Sequence, residues 1–108
     1  MNRVKIVTFV PLENADAVRE AMGKAGGGQI GEYSYCSSSS ASEGRYIPSG
    51  KANPYIGSQG KPEIVQEIRI EVVCGRSEAK AVIAAMKSAT PYEQPAYDIY
   101  PLVDEDDL

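Results

Sequence analysis

Glu93 stands between Tyr92 and Gln94 and is fenced by Pro91 and Pro95, so its carboxylate is carried on a stiff stretch of chain. A buried or interface position would shift its protonation and suit it to proton transfer, while an exposed one would leave it a hydrogen-bond anchor. Glu43 with Arg45, and Asp98, have the same two readings, and for all of them the ion pair or anchor is the expected role. No histidine occurs in the chain. That removes the commonest general base, the Ser-His-Asp arrangement and metal sites built on imidazole. Ser37 to Ser40 form a run with no base beside them and read as filler. Cys36 and Cys74 lack C-x-x-C spacing, and Met22 and Met86 fall on helical apolar stripes, so reduced thiols, no metal and no other cofactor are expected. The string "GGGQIG", residues 26 to 31, has the letters of the dinucleotide fingerprint. A helical pattern precedes it and a strand pattern follows, the reverse of the order that brings pyrophosphate to a helix N-terminus, so it reads as a helix C-cap and turn.

The elements that must hold these residues follow from periodicity. "VKIVTFV", residues 4 to 10, is apolar on both faces apart from Lys5 and Thr8 and predicts a central strand. After Pro11, Asn14 is placed to cap a helix in which Ala15, Val18, Met22 and Ala25 share a stripe. A strand is expected from about Tyr33, interrupted near Ala41 to Gly44 and resuming at "RYI", followed by a long loop over residues 49 to 62. "EIRIEVV" alternates cleanly, with Ile68, Ile70 and Val72 on one face. Ser77 is the expected N-cap of a second helix whose stripe is Ala79, Val82, Ile83 and Met86, and a last strand is expected from about Ala96 to Val103. Pro91, Pro95 and Pro101 confine the segment "TPYEQPAYDIYPL" to a sheet edge and its approaches. The order strand, helix, strand, strand, helix, strand predicts an α+β, ferredoxin-like βαββαβ sandwich: one antiparallel sheet with two helices on one face. The other face then needs a cover, and self-association supplies the simplest one.

Composition bounds the partners. The chain of 108 residues, 43% hydrophobic and 24% charged, has the mix of one globular domain, assigned to residues 1–103. Four of its acids, Asp104 to Asp107, crowd into residues 104–108, which read as an acidic flexible tail; without them the acidic and basic residues balance. A neutral body with no Lys/Arg cluster argues against nucleic acid. The first apolar run is too short for a signal peptide or a membrane span, so no membrane association and a cytoplasmic location are expected.

The strings "VKIVTFVPLENADAVREAM", "IGEYSYCS", "KANPYIGSQGKPEIVQEIRIEVV" and "PYEQPAYDIYPL" together make nearly the whole chain similar to the small PII-like domain of the YqfO group. That domain occurs alone and as an insert in di-metal proteins known as GTP cyclohydrolase 1 type 2 homologues. "PYEQP" also resembles a segment of the CutA proteins, trimeric relatives of the PII signal proteins. The resemblance implies a ferredoxin-like subunit in a homotrimer with sheets facing inward. It imports no enzyme, because the metal ligands of the larger proteins lie in their main domain. Thr90 stands where the family pattern commonly has histidine, and "CGRSEAK" is too short for the nucleotide loop of PII proteins.

The resulting expectation is a non-enzymatic oligomeric regulatory or ligand-binding module of the PII-like/CutA-like type, whose loop 49–62 touches small molecules or a protein partner. Tyr33, Cys36, Asn53, Pro54, Tyr55, Tyr92, Glu93 and Tyr97 are its candidate ligand-binding or interface residues. Two alternatives stand beside it: an accessory subunit of a di-metal hydrolase-like protein, and an enzyme with a subunit-interface site at Glu93, Tyr92 and the "ANPYIG" loop.

Overall fold

The computed structural model describes residues 2–108. Four strands and two helices follow one another as β1 (Arg3–Pro11), α1 (Ala15–Lys24), β2 (Ser38–Tyr46), β3 (Glu63–Gly75), α2 (Arg76–Ala89) and β4 (Tyr97–Pro101), with short 3-10 turns at Leu12–Asn14 and Glu105–Asp107. The strands form one sheet in the order β2-β3-β1-β4, every neighbouring pair antiparallel. This is the expected ferredoxin-like arrangement, with the proline-bounded strand at an edge.

Register decides the two faces. Ile6 lies opposite both Val72 and Ile99, so these share a face. That face carries Val4, Ile6, Val10, Ile70, Val72 and Cys74 against Ala15, Val18 and Met22 of α1 and Val82 and Met86 of α2, all buried. Thr8 is fully buried on the same face because its hydroxyl donates to the Ala96 carbonyl at 2.9 Å. Among the described residues no helix covers the opposite face. It presents Lys5, Val7 and Phe9 of β1 beside Arg69 and Glu71 of β3 and Tyr100 of β4. Glu71 gathers Arg69 Nη1 at 2.8 Å and Lys5 Nζ at 3.8 Å there.

Beyond Glu67, β3 leaves β1 behind and pairs only with β2, so Glu43–Tyr46 and Glu63–Gln66 form a two-stranded arm that ends in the loop 47–62. The arm makes the chain elongated, 49 × 27 × 23 Å.

Several local expectations need correction. The second strand starts at Ser38, not Tyr33, and runs unbroken through Ala41 to Gly44. Tyr35 has φ 60°, a left-handed conformation that no strand continues through. The serines stay extended because an edge strand is held by its backbone ladder, which asks nothing of exposed side chains. Asn14 makes no capping hydrogen bond; the 3-10 turn delivers the chain into α1, and Asn14 Oδ1 is buried without a partner. Ser77 is not the cap of α2, since β3 passes directly into the helix with Gly75 at the cap position, and Ser77 Oγ donates to Glu78 Oε2 at 2.8 Å instead. The last strand is shorter than Ala96 to Val103, because only Tyr97–Pro101 pairs with β1.

Candidate functional site

Where the arm leaves the sheet, the connector from α2 to β4 and loop 47–62 border an open cavity of about 630 Å³. Its aromatic walls are Phe9, Tyr46, Tyr55 and Tyr92, and Glu67 lies at its base. Tyr55 and Tyr92 meet edge to face, with centroids 6.5 Å apart. The loop is tied down from both sides. Asn53 N–H donates to Glu93 Oε2 at 3.1 Å, the Tyr46 hydroxyl donates to the Ile56 carbonyl at 2.7 Å, and Gln59 Nε2 donates to the Ala52 carbonyl at 2.9 Å.

Glu67 is only 7% exposed, an unusual place for a carboxylate. Tyr92 donates its hydroxyl to Glu67 Oε2 at 2.7 Å. The other oxygen lies over Gly44, where a Cβ would collide with Oε1, so the absence of a side chain at Gly44 makes room for the buried acid. Glu67 takes part in none of the ion pairs among the described residues. Burial, and then the hydrogen bond and negative charge of Glu67, push the Tyr92 phenol well above the usual tyrosine value. Burial together with Glu63 and Glu67 pushes Tyr46 in the same direction. Among the described residues the only guanidinium at the cavity, Arg45, is held by Glu43 at 2.9 Å.

Five of the eight sequence-selected residues thus converge here: Pro54, Tyr55, Tyr92 and Glu93 line the cavity and Asn53 fastens its rim. Three do not. Tyr33 is 75% exposed in a turn where its main chain bridges to Ile30. Cys36 is half-buried in the neighbouring loop, its N–H donating to the Gly28 carbonyl at 2.9 Å. Tyr97 packs on the helix-side core, with Lys87 Nζ 5.0 Å from its ring centroid. Glu93 is exposed and serves as an anchor between connector and loop. Sequence reasoning missed Glu67, Phe9 and Tyr46. Glu67 falls on the polar parity of "EIRIEVV", the parity that reads as solvent-facing. Among the described residues no three His, Cys, Asp or Glu side chains gather as metal ligands, and burial pushes the Cys74 thiol up, away from reactivity.

No protein-family model matches the chain. The GTP cyclohydrolase 1 type 2 homologue of Halalkalibacterium halodurans is 48% identical over 101 residues, which make up 94% of this chain and 27% of that protein. In structure, a Bacillus cereus protein related to NIF3 superposes with a TM-score of 0.83 at 43% identity, over 95% of this chain and 26% of the other. The chain is homologous to one segment of these longer proteins. It spans about a quarter of the length of the curated relatives it matches. CutA1 from a psychrotrophic Shewanella species superposes with a TM-score of 0.69 over 95% of this chain and 83% of its own, at 17% identity, so the segment has the CutA1 fold. No helix among the described residues is long and apolar enough to cross a membrane.

Proposed function

We propose that this chain works as an oligomeric, non-enzymatic ligand-binding or regulatory module, its ligand held in the cavity between loop 47–62 and the α2–β4 connector. The observation that carries this reading is the cavity itself: concave, mostly apolar with four aromatic side chains, and supplied with one buried acid, it has the make-up of a small-molecule site. Its chemistry favours binding over turnover. The one hydroxyl bonded to a carboxylate there, Tyr92, has its proton held more tightly than usual, the opposite of what a nucleophile or a general acid needs.

The assembly is a homotrimer, as the CutA resemblance implies. It is supported by the helix-free sheet face, where exposed Tyr100 lies among ion-paired side chains, and by the arm, since a two-stranded ribbon alone is marginal in water. The cytoplasm, where Cys36 and Cys74 stay free thiols, is its compartment. Native mass spectrometry of the purified chain tests both parts: a trimer retaining a small molecule is expected, and a ligand-free monomer at micromolar concentration would defeat the reading.

A second reading, an accessory partner of a di-metal protein, is favoured by the 48% identity to a quarter-length segment of such relatives. Pull-down of the full relative by the immobilised chain would support it over a free-standing sensor.

A further inference from the structure

We infer that the cavity takes a small organic amine, its ammonium group seated between the Glu67 carboxylate and the surrounding aromatic rings. The inference deepens, and rests on, the reading of this cavity as a ligand site. Glu67 is over nine-tenths buried and has no cationic partner among the described residues, and Tyr92 occupies only Oε2. A buried carboxylate costs free energy that a cation in the cavity would offset. Among the charged groups lining the space, Glu43, Glu67 and Glu93 face a single guanidinium, Arg45, which Glu43 already holds. The walls suit the same guest. Phe9, Tyr46, Tyr55 and Tyr92 present ring surfaces, and an alkylammonium is attracted to such surfaces as well as to the carboxylate. A hard divalent metal is a poor fit, since it asks for six or more oxygen ligands, the cavity lining is mostly carbon, and among the described residues its carboxylates do not gather as a metal-ligand cluster. At about 630 Å³ the space also exceeds a bare ammonium ion, so the guest carries an apolar body of several carbons.

The test is a two-dimensional amide NMR titration of the full chain with three probes of one shape, phenethylammonium, 2-phenylethanol and 3-phenylpropionate, plus Mn²⁺ as a fourth arm. Phenethylammonium is expected to shift the amides of Gly44, Tyr46, Tyr55 and Tyr92. Glu67→Gln should weaken that binding by roughly ten- to a hundredfold, the worth of one charge-assisted hydrogen bond. Tyr55→Ala removes a wall on a half-exposed loop residue without touching the sheet and should weaken it severalfold, so the result does not depend on Glu67→Gln folding. Equal or stronger binding of the alcohol or the carboxylate at these amides overturns the amine and leaves the ligand site standing. Saturable broadening of the same amides by Mn²⁺, with no amine effect, does likewise. Silence of these amides toward all four probes overturns the amine and the ligand site together.

Discussion

Glu67 and Tyr92 form one unit at the cavity base, and each holds the other in an environment it would not choose alone. Tyr92→Phe keeps the ring and removes the donor, leaving a buried carboxylate without its partner; a loss of about 1–3 kcal/mol in urea unfolding is expected. Gly44→Ala should cost a similar amount, about 1–3 kcal/mol, because its Cβ meets Glu67 Oε1. The constraint there is space and not backbone conformation, since Gly44 has no positive φ. Alkaline titration reads the same contact. The folded-state values of Tyr92 and Tyr46 are raised, so the stability they contribute is fully present below the unfolded value of 10.0 and is lost as pH rises above it. In phenolate absorbance, two of the seven tyrosines should therefore ionise late, with unfolding, and Tyr92→Phe should remove one of them. Simultaneous ionisation of all seven would contradict the buried pair.

At the level of elements, β4 shows how one edge strand divides its labour by parity. Tyr97 faces the helices and Tyr100 faces the open side of the sheet, opposite Lys5. Tyr97→Asp places a charge against the core and should destabilise the subunit by at least about 2 kcal/mol. Tyr100→Asp should leave the melting of the isolated fold nearly unchanged and weaken self-association instead. Light scattering coupled to size exclusion, alongside thermal melts, separates the two. If Tyr100→Asp melts the fold while Tyr97→Asp is silent, the assignment of faces is wrong. The last residues behave as a third case: Asp104 lies 3.9 Å from Arg3 across exposed surface, a contact worth little, so removing residues 104–108 should change neither the oligomeric state nor the melting temperature.

For the whole molecule, the sheet face without helices is the surface proposed for self-association. Its charge cluster centres on Glu71, whose carboxyl the hydrogen bond from Arg69 holds below the usual value, with the charges of Arg69 and Lys5 adding to the effect. A lowered folded-state value contributes stability that is present above the unfolded value of 4.5 and lost as pH falls through the folded one. Acid should therefore loosen the fold or its assembly below about pH 4.5, and Glu71→Gln should flatten that dependence. A wild-type acid profile unchanged in Glu71→Gln would remove the cluster from the account.

The amino-acid sequence by itself determined the order of elements, the apolar stripes of both helices, the alternation of β3 and the confinement of the proline-bounded segment to an edge. Each rests on a local period or on a missing N–H, and neither depends on distant chain. It also singled out Tyr92 and Glu93 through the prolines that fence them, and Asn53, Pro54 and Tyr55 through the "ANPYIG" string that carries the family resemblance. Tertiary structure decided the rest. Ser38 to Gly44 reads as a broken strand until β3 supplies the ladder that holds it straight. The buried state of Glu67 depends on three distant features meeting: Gly44 opening space across the arm, Tyr92 arriving from the α2–β4 connector, and loop 47–62 folding over both. An acid on the polar parity of a strand carries no mark of such burial, because burial belongs to what the neighbouring chain covers and not to the residue's own period.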